Sequence, residues 1–166
     1  MPTNSERAFE PRPDVYAAWQ QLNAAVKANM DLRRYELATL AAARRLRSSY
    51  CALAHGTVLR EHFDEPVVEI VRDREHSGLD EVDIAVMELA EKVVDDASAI
   101  GDGDLRRLRD LGLADDEIMD VVLAASLRCF FSKTLDALGV RPDSSYRALE
   151  PELREALVVG RPIADA

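Results

Sequence analysis

The sequence predicts an all-α fold, because apolar residues recur at the three- to four-residue spacing of amphipathic helices and no segment alternates as a β-strand does. Glycine, proline and capping residues separate the periodic segments. A chain of 166 residues suits one domain that can bury a sizeable core. The expected helices cover residues 14–29, 33–47, 48–63, 67–74, 80–97, 104–111 and 117–138.

Both ends of the chain lack this periodicity. Residues 1–13 hold three prolines and are predicted to form an extended N-terminal arm. Residues 143–166 are predicted to form a C-terminal tail, with a polar turn, a weak helical piece at 152–158 and a loose end. Residues 14–142 are therefore expected to form a single helical domain.

Charge and composition narrow the possible partners and compartment. The formal net charge is −10, and the arginines are scattered among acidic residues, which argues against a nucleic-acid surface or an anionic-membrane surface. No apolar run approaches the ~18–20 residues of a membrane span, and the N-terminus lacks the build of a signal peptide. Two distant cysteines do not make a secreted disulfide framework, so a cytoplasmic protein with free thiols is expected.

The helix over residues 33–47 carries one carboxylate, Glu36, at the edge of an apolar stretch rich in alanine and leucine. This position predicts that Glu36 points into the protein. A buried carboxylate costs several kcal/mol unless it is paired, so a partner is expected for it.

The next helix should begin at Ser48 or Ser49, both good N-cap residues, and Ser48 could alternatively hydrogen-bond a catalytic thiolate at Cys51. Cys51 lies in its first turn, where free N–H groups and the helix dipole favour a thiolate. His55 follows four residues later on the same face, and Glu36 could orient its imidazole ring. Tyr50 is expected either to hydrogen-bond a substrate oxygen or to pack in the core.

The last long helix is apolar nearly all round over its first two-thirds, which predicts burial on several sides, including at subunit contacts. Cys129 lies on the apolar stripe of this helix and is expected to pack in the core.

Glu36, His55 and His62 are residue types that can ligate a metal ion, but no compact ligand motif supports a metal site. No metal site and no cofactor are predicted.

One frame of residues resembles a known family. Glu36 is followed twelve residues later by Ser48-Ser49-Tyr50-Cys51-Ala52-Leu53-Ala54-His55, and similar segments continue at 79–94, 108–118, 130–131 and 136–140. Over about residues 15–142 the chain resembles the carboxymuconolactone decarboxylase / alkyl hydroperoxidase D superfamily, in particular its peroxidase-related members. The redox members carry Cys-x-x-Cys-x-x-x-His in this frame, and here Ser48 replaces the first cysteine.

The resemblance implies an α-helical bundle of about six to seven helices that assembles into a homodimer, trimer or hexamer. It also implies reduction of small hydroperoxides, with Cys51 as the peroxidatic thiol and Glu36 and His55 as a proton relay.

Because Ser48 cannot form a disulfide with Cys51, several outcomes stay open. An external thiol reductant could resolve the sulfenic acid of Cys51, or Cys129 could act as the resolving thiol. The site could instead perform the acid–base chemistry of the lactone decarboxylases through His55 and Glu36. A non-catalytic oligomeric module with a decayed site is the remaining possibility. The retention of Cys51 beside His55 favours thiol chemistry.

Overall fold

The computed structural model describes residues 1–165, which fold into nine α-helices with no strand in that range. The predicted all-α class is therefore confirmed. The helices are α1 (Asn4–Ala8), α2 (Pro13–Asn29), α3 (Leu32–Arg45), α4 (Ser49–Phe63), α5 (Val67–Arg72), α6 (Glu81–Asp96), α7 (Asp102–Asp110), α8 (Asp115–Ala137) and α9 (Pro151–Leu157). Short 3₁₀ turns occur at Arg74–His76, Ala97–Ala99 and Ser144–Ala148.

Helix α3 forms the centre of the bundle and packs against α4, α6 and α8. Every residue from Tyr35 to Ala43 is buried. Four of these residues are alanines, whose small side chains allow neighbouring helices to approach closely. A carboxylate on α3 consequently has to find its partners inside the protein.

Helix α2 lies at the edge of the bundle and packs mainly on α8. Pro13 occupies its first turn, where the missing N–H costs nothing. Of its 17 residues only Val26 is fully buried. Trp19, Asn23 and Lys27 are spaced four apart, which places them along one face of the helix.

The predicted extended arm over residues 1–13 is wrong for the segment that forms α1. Thr3 and Glu6 form a capping box, which satisfies free N–H groups at the start of this short helix. Phe9 then turns into the core, where it is 6% exposed and stacks on Phe131 of α8 at 5.8 Å between ring centroids. The N-terminal segment therefore packs on its own chain.

The C-terminal tail is more ordered than the predicted loose end. Helix α9 matches the helical piece expected at 152–158, and Leu157 is fully buried against Gly56 of α4. Ile163, beyond α9, is also buried. Leu153, Leu157 and Ile163 thus hold the tail on the bundle, and Ala166 lies outside the described residues.

Over residues 1–165, no helix combines the length and the apolar character that crossing a bilayer requires.

Candidate functional site

A tight turn between α3 and α4 places the start of α4. Arg47 adopts a left-handed conformation (φ 57°), and the Ser48 N–H donates to the carbonyl of Ala43 at 2.9 Å, as at many helix C-termini. Gly160 braces the turn from the C-terminal tail, because its N–H donates to Ser49 Oγ at 2.8 Å. A Cβ at Gly160 would lie 1.9 Å from the Arg47 carbonyl oxygen, so only glycine fits there.

Cys51 lies in the first turn of α4, as the sequence predicts, and its thiol is free. The residue is only 1% exposed and belongs to the main hydrophobic core. Its place in the first turn brings it close to the free backbone N–H groups of the helix N-terminus. A reagent reaches the sulfur only when the surrounding helices open locally.

Glu36 and His55 meet in the interior between α3 and α4. The distance between Glu36 Oε2 and His55 Nδ1 is 2.6 Å, and both residues are buried. The second carboxylate oxygen, Oε1, accepts a hydrogen bond from Lys27 Nζ of α2 at 3.0 Å. Lys27 is 40% exposed, so it links the buried carboxylate to the solvent side of the site.

Arg128 of α8 contacts the other ring nitrogen of His55. Its Nη1 lies 3.0 Å from His55 Nε2, and its Nη2 donates to Asn23 Oδ1 at 3.1 Å. The guanidinium also lies over the rings of Trp19 and Phe131, 5.4 Å from each centroid. Arg128 is 3% exposed, so this cation is held inside the protein by His55, Asn23 and two aromatic faces.

These contacts fix the charges of the site. Burial opposes ionisation of Glu36, but its hydrogen bonds with His55 and Lys27, together with the charge of Lys27, lower its pKa below the usual value. Burial lowers the pKa of His55, and the charge of Arg128 adds to this effect against the pull of Glu36. The site thus holds an ionised carboxylate, a neutral imidazole and two cations.

The expected contact between Glu36 and His55 is present, but a link from His55 to the thiol is not. The two ring nitrogens bond Glu36 and Arg128, and no hydrogen bond within residues 1–165 joins His55 to Cys51. The relay to Cys51 stays a prediction that requires a rearrangement of these contacts.

Ser48 occupies the N-cap position of α4, but its hydroxyl makes no capping hydrogen bond. The side chain is fully buried and has no hydrogen-bond partner among the described residues. Ser48 therefore fills space at the helix start and leaves Cys51 without an intrachain disulfide partner at that position.

Tyr50 points away from the relay. Its hydroxyl donates to Asp143 Oδ2 at 2.7 Å, lies 3.0 Å from Ser5 Oγ and accepts from the Ser5 N–H at 3.3 Å. It ties α4 to both terminal segments. The core-packing alternative fits these contacts better than a hydrogen bond to substrate.

Cys129 is half-buried and lies outside the main core, in contrast to the core packing that its position on the stripe predicts. Burial raises the pKa of its thiol, with Lys133 acting in the opposite direction. A raised pKa reduces the thiolate fraction, which makes Cys129 a poor nucleophile towards an oxidised Cys51.

His62 is exposed near the end of α4. In the part of the chain that the structure describes, no group of three or more histidine, cysteine or acidic side chains is placed to hold a metal ion.

Three members of the polar network, Arg128, Asn23 and Lys27, were not singled out from the sequence. Arg128 had a signal, since it is the one charged residue in a mostly apolar run from Val121 to Phe131. A cation in such a run implies a buried partner. Asn23 and Lys27 carry no such signal, because polar residues on an edge helix usually face solvent.

Comparison with known proteins identifies the architecture. No family model and no curated protein matches the sequence. Among solved structures, an uncharacterized peroxidase-related protein from Ralstonia eutropha with an alkylhydroperoxidase AhpD core superposes with a TM-score of 0.79 at 20% identity, covering 87% of this chain and 78% of that one. The chain has the AhpD core fold.

A second structure with the same likeness is an uncharacterized peroxidase-related protein from Silicibacter sp., with a TM-score of 0.81 at 18% identity, covering 89% of this chain and 80% of that one. At such identities the likeness establishes the fold. In the AhpD core fold of this protein, Glu36, Cys51 and His55 lie on the two adjacent helices α3 and α4.

Proposed function

We propose that this protein is a thiol-dependent, peroxidase-like oxidoreductase that reduces small hydroperoxides through Cys51. The observation that carries the proposal is the position of Cys51, in the first turn of α4 and one turn before a buried Glu36–His55 pair. The description of two AhpD-fold relatives as peroxidase-related supports it.

The proposed reaction begins with the thiolate of Cys51, which attacks one peroxide oxygen. The O–O bond breaks, the leaving oxygen takes up a proton as an alcohol or water, and the sulfur becomes a sulfenic acid. Sulfur is oxidised by two electrons and the peroxide is reduced by two. Because Ser48 offers no thiol, an external thiol then forms a mixed disulfide with release of water, and a second thiol restores Cys51.

This cycle needs a reducing environment, so we propose that the protein works in the cytoplasm with a small or protein thiol as reductant. Both cysteines are free, which suits that compartment.

We also propose that the protein forms a homo-oligomer. Met119, Leu123 and Phe130 are exposed along α8, and a second copy could cover this apolar face. A monomeric mass by sedimentation at micromolar concentration would contradict this proposal.

The decisive experiment treats the protein with one equivalent of hydrogen peroxide, traps sulfenic acid with dimedone, and locates the adduct by mass spectrometry. Wild type and Cys129→Ser are expected to carry the adduct on Cys51 and to consume peroxide at similar rates. Cys51→Ser is expected to lose both signals. If Cys51→Ser consumes peroxide as fast as wild type, the proposed function is wrong.

A second candidate, lactone decarboxylation or isomerisation by acid–base chemistry, is favoured by one observation. The Glu36–His55 pair is fully formed, whereas neither residue bonds the thiol. For this function, a panel of unsaturated lactones should be turned over by wild type and Cys51→Ser alike, and the activity should be lost in His55→Gln. An enzyme that turns over none of them argues against this candidate.

A further inference from the structure

The hydrogen bonds of His55 leave one protonation pattern for its ring. A guanidinium carries only donors, so Arg128 Nη1 must donate and His55 Nε2 must accept across their 3.0 Å contact. The single ring proton of a neutral imidazole then lies on Nδ1 and is donated to the Glu36 carboxylate at 2.6 Å. The only free lone pair of the ring is taken by Arg128.

Residues of α2 and α8, supported by Tyr35 of α3, hold Arg128 in this position. Asn23 of α2 accepts from its Nη2 at 3.1 Å, and Asn23 is fixed in turn by a 2.8 Å hydrogen bond from the Tyr35 hydroxyl. Trp19 of the same helix and Phe131 of α8 cover the guanidinium. The position of Arg128 therefore depends on the docking of α2 onto α8.

We propose that Arg128 is a positioning residue that keeps His55 neutral with its proton on Nδ1, and so withholds from Cys51 the nitrogen that would accept the thiol proton. Displacement of Arg128 from Nε2 then activates the relay. The consequence for Cys51 rests on the proposed function, whereas the effect on His55 does not depend on it.

Charged and titratable groups from α2, α3 and α8 surround His55. Glu36 and Tyr35 approach from α3, the Tyr35 ring lying edge-on at 6.1 Å between centroids. Lys27 approaches from α2 through Glu36, Arg128 from α8, and Cys51 lies on the same helix. One carboxylate already faces two cations, so a protonated His55 would add a third cation to the same interior.

The test is a pH titration of His55 by NMR of the imidazole nitrogens in ¹⁵N-labelled protein. Wild-type His55 is expected to show protonated Nδ1 and bare Nε2 at pH 7, with a pKa below the usual value of about 6.5. Arg128→Met removes both the donor and the charge, and the pKa is expected to rise by about one unit or more, a tenfold change in protonation. Arg128→Lys retains a cation and a donor and should remain closer to wild type.

Asn23→Ala tests the same idea without altering the buried cation, and it remains informative if Arg128→Met fails to fold. It should raise the pKa of His55 by a smaller amount, because Arg128 loses one anchor. Arg60→Met is the matched control, since Arg60 lies on α4 but pairs with Asp64 at the surface. This control should leave the titration of His55 unchanged.

An unchanged pKa of His55 in both Arg128→Met and Asn23→Ala overturns the proposal, as does a doubly protonated ring in wild type at pH 7. These results are separate from the peroxide experiment. If the pKa rises as expected but Cys51 never forms a sulfenic acid, the role of Arg128 stands and the peroxidase proposal alone fails.

Discussion

The substitution Glu36→Ala tests whether an ionised carboxylate organises the interior. In the structure this side chain is 1% exposed and receives two hydrogen bonds, from His55 Nδ1 and from Lys27 Nζ. Loss of a buried hydrogen bond to a charged group costs about 1.5–3 kcal/mol. The bond to Lys27 adds no more than about 1 kcal/mol, because Lys27 is 40% exposed and its charge is screened by solvent.

We therefore expect Glu36→Ala to lower the free energy of unfolding by about 1.5–4 kcal/mol. For a domain of this size each kcal/mol lowers Tm by about 2–4 °C, so the expected fall is roughly 3–16 °C. The assay is thermal unfolding followed by circular dichroism at pH 7, with urea unfolding for the free energy. Glu61→Ala, at an exposed position of α4, is the control and should melt with wild type.

Glu36→Gln refines the result, because an amide oxygen can still accept from His55 but carries no charge. Its Tm should lie between those of wild type and Glu36→Ala. A Tm of Glu36→Ala within about 1 °C of wild type would refute the view that Glu36 is a buried, paired anion.

Two further predictions concern pH and packing. Because the pKa of His55 is lowered on folding, stability is complete above the unfolded value of about 6.5 and falls as the pH drops from there towards the folded pKa. Between pH 7.5 and 5.5, the free energy of unfolding measured in urea should therefore fall in wild type by up to about 1.4 kcal/mol more than in His55→Gln. Equal falls in the two proteins would contradict the lowered pKa of His55. Gly160→Ala should destabilise by about 1–3 kcal/mol, because its Cβ would lie 1.9 Å from the Arg47 carbonyl oxygen. Gly103→Ala, in helix α7 with open space around it, should melt no lower than wild type, and an equal loss in both variants would show that close packing at Gly160 is not the cause.

The helix order and most helix limits could be predicted from the sequence, because periodicity and capping residues are local signals. The start of α4 at Ser49 and the end of α8 at Ala137 lie within one residue of the expected limits. The short helix α1 was missed although Thr3 and Glu6 form a recognisable capping box. Three prolines in the first 13 residues outweighed that local signal.

The site was predictable only where its members lie on adjacent helices. Glu36 was expected to find a buried partner, and His55 lies within hydrogen-bonding distance of it. The contact of Arg128 with His55 spans 73 positions and depends on how α8 crosses α4, which no local pattern specifies. The occupation of both ring nitrogens of His55 could therefore be learned only from the three-dimensional arrangement.

The contacts of the site depend on the rotational orientation of the edge helix α2 about its axis. Trp19, Asn23 and Lys27 touch the buried network from three successive turns. One residue added or removed between Trp19 and Asn23 would turn Trp19 by about 100° relative to Asn23 and Lys27, so the three side chains would no longer face the network together. The spacing of these residues along the helix, as well as their identity, is thus part of what specifies the protonation state of His55.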